Sequence, residues 1–236
     1  MSPVFDCTTP EGRQDGIAKA TAGVRQGDLV VLPTDTLYGI GADAFAPDAV
    51  QRLLDAKGRG REMPPPVLVA DVRTVDGLAI DVPDYARALI KEYWPGPLTL
   101  VLKAQPSLMW DLGDTGGTVA VRMPDHEVAL ELLQAVGPMA VSSANRTGHP
   151  ASRTVIDAAT QLGASVEFYL DGGPVTGGLP STIVDCTQPE PVILRRGAID
   201  ADEILALAAQ HLELPADEPD ASDDPAPAPE ESSSDE

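Results

Sequence analysis

The chain has 236 residues, 43% of them hydrophobic, and a formal net charge of −21. That length suits one domain with an appendage, and no apolar stretch approaches the ~20 residues that a membrane-spanning helix needs. Nine acids without a base fall in residues 215–236, which leaves 28 of the 37 acids against 16 bases, a body charge of −12 that argues against nonspecific nucleic-acid binding. Two cysteines, Cys7 and Cys186, form no disulfide framework, and the three histidines have no metal-ligand spacing. Charged residues Asp6, Glu11, Arg13, Asp15 and Lys19 mark the first thirty positions as no signal peptide, so the expected location is cytoplasmic.

In chain order, residues 10–26 read as a helix ended by Gly27, and Leu29-Val30-Val31-Leu32 as a short buried strand. Pro33-Thr34-Asp35-Thr36-Leu37-Tyr38-Gly39-Ile40-Gly41 follows where that strand ends, with Gly39 and Gly41 freeing the backbone of a polar loop. Ala46-Pro47-Asp48 opens a helix that Lys57 and Gly58 close with a cation and a C-terminal glycine. A strand at 67–69 follows a proline-rich turn, and a helix from Pro83-Asp84 runs to Pro95-Gly96-Pro97. Strands are expected at 98–102 and 118–122 around a loop over 103–117, then a helix over 125–136 and a strand at 139–141. A helix near 154–162, a strand near 166–170 and a glycine-rich loop 171–180 come next. Strands 182–184 and 192–195 and a helix 200–212 complete the body. The alternation predicts an α/β fold: a twisted open sheet of mixed parallel and antiparallel strands with flanking helices. One domain is expected over 1–214, with an acidic disordered tail over 215–236.

Polar residues at the carboxyl ends of strands are where open α/β sheets bind ligands. Three later segments are read beside 33–41: Lys57-Gly58-Arg59-Gly60-Arg61, with three cations in five residues, Ser142-Ser143-Ala144-Asn145-Arg146-Thr147-Gly148-His149-Pro150, a second polar loop after an apolar run, and Ser181-Thr182-Ile183-Val184-Asp185 leading to Ile193-Leu194-Arg195-Arg196-Gly197. In this order and spacing, from about Gly27 to about Gly197, they resemble the YrdC/Sua5 family of L-threonylcarbamoyl-AMP synthases. The resemblance implies a concave, positively lined pocket. In it L-threonine, bicarbonate and ATP would give threonylcarbamoyl-AMP and diphosphate, for t6A modification at position 37 of tRNAs. Such a reaction leans on positioning and charge stabilisation, which suits a chain with no Ser/His or Cys/His constellation.

By the same resemblance, Lys57 and Arg59 are the catalytic cations against the ATP phosphates. Thr118, Ser143, Asn145 and Arg195 complete the ATP site, and Thr36, Arg122, Val141 and Ser181 bind threonine. A guanidinium at Arg122 suits a carboxylate because its fork pairs bidentately. Arg61 is either a further site cation or a solvated loop charge, and Tyr38 either walls the amino-acid pocket or belongs to the core. Arg52, Lys57, Arg59 and Arg61 read as one local basic cluster suited to a small polyanion. Mg²⁺ is implied with ATP, with no protein ligand to name. The implied partner is a transferase complex that carries the product to tRNA; weak RNA binding is conceivable and no membrane is expected. Where many relatives have Asn and His, this chain has Met63 and Leu68, and Ala151 stands where Ser is common, with Ser152 one place later.

Two other readings stay open on sequence alone. One is a double-stranded RNA-binding module, against which the acidic body argues. The other is a related carbamoyl-adenylate-forming enzyme of the hydrogenase-maturation type, whose chains carry extra modules not expected here. The tail is read as a solvated segment, or alternatively as a polyanion competing with ATP.

Overall fold

Residues 2–212 are described in the computed structural model; the acidic stretch 215–236 and the domain limit expected at 214 lie outside them. The first half runs β1 (Val4–Asp6), α1 (Pro10–Val24), β2 (Val30–Leu32), β3 (Gly39–Asp43), α2 (Pro47–Lys57), β4 (Val67–Leu68), α3 (Val75–Leu78), β5 (Ala79–Ile80), α4 (Asp84–Tyr93) and β6 (Leu98–Ala104). The second half runs β7 (Thr118–Arg122), α5 (Glu127–Val136), β8 (Met139–Ser143), α6 (Val155–Leu162), β9 (Phe168–Asp171), β10 (Thr182–Asp185), β11 (Val192–Arg195) and α7 (Ala201–Ala209). Local chemistry sets the helix ends. Thr9 caps α1, Thr154 and Asp157 form a capping box on α6, and Gly58 closes α2 at φ 60°.

All eleven strands join one sheet in the order β1-β9-β2-β3-β8-β4-β7-β6-β10-β11, with β5 against β6. Pairing is mixed, as the sequence pattern predicts: β1/β9, β2/β9, β4/β7 and β6/β10 are parallel and the other pairs antiparallel. The main departure from the sequence reading is β3. The sequence places Gly39–Gly41 in a loop, whereas Gly39–Asp43 is a central strand, pairing β2 on one side and β8 on the other. Its glycines are there for closeness. A Cβ on Gly39 would fall 2.6 Å from Val141 Cγ1, and one on Gly41 2.9 Å from Met139 Cε. β1 and the short α3–β5 segment also escaped prediction, being too short to show a period.

The side-chain period of two divides the sheet into faces. On one face Val30, Leu32, Leu68, Met139 and Val141 pack beneath α1 and α5. On the other, Leu98, Leu100, Leu102, Val119, Val121 and Val184 pack against α4 and α7. The alternate residues of β6, β7 and β10 are Thr99, Val101, Thr118, Ala120, Arg122 and Ile183, and they floor an open cavity. One half of that sheet face is therefore core and the other half is a binding surface.

Candidate active site

The cavity has a volume of about 560 Å³, within the ~300–1,000 Å³ usual for small-molecule sites. Loops complete what the sheet begins: Thr34 and Thr36–Gly39, Arg59 with Pro64–Pro66, residues between Ser142 and Ala151, and residues between Gly178 and Ser181. Of the residues expected at the site, Thr36, Arg59, Thr118, Arg122, Val141, Ser143, Asn145, Ser181 and Arg195 all line this cavity. Lys57 does not.

Arg122 is 6% exposed, and each of its three guanidinium nitrogens donates within the protein. Its Nε donates to Gly96 O at 3.0 Å, Nη1 to Thr36 Oγ1 at 2.9 Å and Nη2 to Asp35 Oδ1 at 2.5 Å. Burial lowers its proton affinity and Asp35 opposes the fall. Arg195 reaches back across β10. Its Nε and Nη2 donate to Ser181 O at 3.1 and 2.9 Å, and Nη2 to Ser181 Oγ at 3.0 Å. Ser181 Oγ in turn lies 2.8 Å from Thr99 Oγ1. Burial lowers the proton affinity of Arg195, and the charges of Arg122 and Arg59 add to that fall, a sign that the three guanidiniums share one field. Arg59 donates from Nη1 to Ser142 Oγ at 3.1 Å, while its buried Nε has no partner among the described residues. Burial lowers its proton affinity as well. Three cations from three distant segments thus meet with open donors, a receptor for a small polyanion.

Lys57 is 1% exposed and is not among the residues that line the cavity. Its Nζ donates to the carbonyls of Ser143 and, at 2.7 Å, of Asn145, and its own carbonyl accepts from Thr147 N at 2.8 Å. It holds the 143–147 loop from behind. Burial first, then Arg59, pulls its ammonium down to about 7. Asn145, held by that loop, donates to the carbonyls of Arg146 and His149 at 2.9 and 2.8 Å and leaves its Oδ1 buried without a partner.

The basic cluster read from 52–61 is dispersed. Arg52 pairs with Glu167 and donates to Gly27 O; Arg61 pairs with Asp111 at 2.7 Å and Asp114 at 3.7 Å. Arg61 is a loop fastener: Asp114 N also donates to its carbonyl at 2.9 Å, and Gly113, at φ 107°, would bring a Cβ within 2.7 Å of that oxygen. The fastening holds Leu112 and Thr115, two wall residues that no motif announced, over the cavity. Tyr38 does both: it belongs to the core and also lines the cavity, its hydroxyl donating to Gly173 O at 2.7 Å and accepting from Gly172 N at 3.1 Å.

At the departures, Leu68 lines the cavity beside Arg122, its register partner, and Met63 lies outside the lining, 40% exposed. Ser152 is fully buried and donates to Ala144 O, so Ala151 is the residue that faces the cavity. His149 lines the cavity and His126 does not. No three His, Cys, Asp or Glu side chains converge as a metal cage among the described residues, and no described helix is long and apolar enough to cross a membrane.

A family model spanning the Sua5, YciO and YrdC proteins, described as "Telomere recombination", matches residues 23–197. A Mycobacterium tuberculosis protein provisionally named threonylcarbamoyl-AMP synthase is 54% identical over 204 residues, 86% of this chain and 94% of its own. The crystal structure of Pyrococcus abyssi Sua5 complexed with L-threonine superposes with a TM-score of 0.78 at 38% identity, over 81% of this chain and 56% of that one. Escherichia coli YciO superposes with a TM-score of 0.76 at 26% identity, over 87% of this chain and 100% of that one.

Proposed function

This chain belongs to the Sua5/YciO/YrdC family, and from that membership we propose that it is a threonylcarbamoyl-AMP synthase that supplies the threonylcarbamoyl group for tRNA modification. The observation that carries the reading is the convergence of Arg59, Arg122 and Arg195 on one cavity large enough for a nucleotide and an amino acid.

Threonine enters with its carboxylate on the two N–H groups of Arg122 that have no internal acceptor, near the hydroxyls of Thr36 and Ser181 and the wall at Val141. Its amine adds to the bicarbonate carbon, with loss of water, to give a carbamate. ATP lies across Thr118, Ser143 and Asn145 with its phosphates on Arg59 and Arg195. A carbamate oxygen attacks the α-phosphorus, the bond to the bridging α–β oxygen breaks, and diphosphate leaves with its charge held by the two arginines. Rate comes from alignment and charge stabilisation. Mg²⁺ arrives with ATP as part of the substrate. Lys57, expected among the catalytic cations, fits better as the residue that fixes the Ser143–Asn145 loop. A transferase that carries the product to tRNA position 37 is the partner this chemistry requires.

Diphosphate release, measured with threonine and bicarbonate each omitted in turn, tests the reading. Release should need all three substrates, and Arg122→Ala should raise the threonine KM by about tenfold or more, the scale of a lost charge-assisted pair. Release that proceeds without threonine overturns it.

A further inference from the structure

Asp35 is not among the residues that line the cavity, yet it stands directly behind one that does. The Arg122–Asp35 pair is nearly closed to solvent, with the two side chains 8% and 16% exposed. The Asp125 backbone N–H donates to the same Asp35 Oδ1 at 3.1 Å and helps to fix the carboxylate. A guanidinium has five N–H groups, and Arg122 spends three on Gly96, Thr36 and Asp35. The remaining two, one on each terminal nitrogen, are the number that a carboxylate takes in a fork. Together with Gly96 and Thr36, Asp35 thus fixes the rotation of the guanidinium and leaves one N–H on each terminal nitrogen for a ligand.

It also sets the charge. Arg195 is tied to neutral oxygens of Ser181, and Arg59 to the neutral hydroxyl of Ser142. Arg122 is the cavity arginine with a carboxylate hydrogen-bonded to its guanidinium, and Asp35 Oδ2 is buried without a partner among the described residues, so no second cation shares its charge. Of the three cavity arginines, Arg122 is therefore the one whose charge is most directly compensated, while Arg195 and Arg59, the latter with Glu62 nearby, keep more of theirs. A phosphate dianion is drawn to the uncompensated arginines, and a zwitterion, which brings no net charge, is accepted at Arg122.

We propose that Asp35 is the positioning and specificity residue that reserves Arg122 for a zwitterionic amino acid and denies it to phosphate. The inference rests on Arg122 being the amino-acid anchor. Without the carboxylate, three uncompensated arginines would line one cavity, and an inorganic dianion could bridge to Arg122.

The test uses sulfate as an unreactive dianion, chloride at equal ionic strength as control, and diphosphate release as readout. In the unaltered protein sulfate should compete with ATP and not with threonine. In Asp35→Asn the threonine KM should rise about ten- to hundredfold, the ATP KM should stay within about twofold, and sulfate should become competitive with threonine. A merely structural loss would lower kcat and leave the competition pattern unchanged, and that result overturns the proposal. Should Asp35→Asn fail to fold, Asp35→Glu, which keeps the charge, should show a raised threonine KM with no competition by sulfate; competition there overturns the proposal as well. A wild-type protein that releases no diphosphate with threonine would instead remove the reading of Arg122.

Discussion

Lys57 shows what a single position owes to its surroundings. In the sequence it closes a helix, the place for a cation facing a helix dipole. The structure sends its stem inward to two carbonyls, and spacing alone cannot report which way a flexible side chain runs. A neutral amine keeps two N–H groups, enough for both carbonyls, so the contact survives loss of the proton. Burial lowers the folded pKa to about 7 from the ordinary 10.5. Between those values the unfolded chain holds a proton that the folded chain has shed, so this group adds stability as pH rises from 7 towards 10. Below pH 7 the full penalty of burying the charge is carried. Lys57→Met removes the titration and leaves two buried acceptors unpaired, at about 1–3 kcal/mol. In thermal unfolding the gap between wild type and Lys57→Met should widen with pH from 7 to 10. A gap that does not change with pH would mean that the amine does not titrate in this window.

At the scale of elements, the longer helices and strands were legible because period and caps agree: α2, α4, α5 and α6 all lie within two residues of their predicted limits. β3 was not legible, because two of its five residues are glycines and turn chemistry favours the same letters. What makes it a strand is tertiary. Val141 and Met139 on β8 fill the space where side chains of Gly39 and Gly41 would stand. Gly39→Ala should therefore push Val141 towards the cavity and cost about 1–3 kcal/mol as overpacking. Urea unfolding would read the stability loss, and a raised threonine KM would read the displaced wall. Loss of stability with an unchanged KM would mean that Val141 yields in another direction.

Over the whole molecule, nine of the ten residues that the resemblance groups in one pocket line one cavity, while the grouping read from neighbouring letters does not hold. The contiguous letters 52–61 suggested a basic patch, but acids claim Arg52 and Arg61, and Lys57 is internal. The cationic cavity comes from positions 59, 122 and 195, far apart in the chain and joined by the order of the strands. Elsewhere Arg13, Arg73, Arg87 and Arg196 are each within salt-bridge distance of an acid, which leaves these four less available to a nucleic-acid backbone. Fluorescence anisotropy with a short RNA duplex at physiological salt should show no saturable binding below about 100 µM, the weak end of nonspecific affinity. Low-micromolar binding that persists at that salt would return the RNA-binding reading to contention.

The half-covered sheet face has one more consequence, for how such a chain can change over generations. In β6, Thr99 and Val101 face the cavity while Leu98, Leu100 and Leu102 face the helices. Lengthening or shortening β6 by one residue would invert every later side chain in the strand, driving a leucine into the binding surface and a threonine into the packed interior. Substitutions can accumulate one at a time on either side, but the reading frame of these strands against one another is locked. Insertions must find room in the connecting loops. In a lineage built on this sheet, variety in length would gather at the rim of the cavity and leave its floor with a constant count.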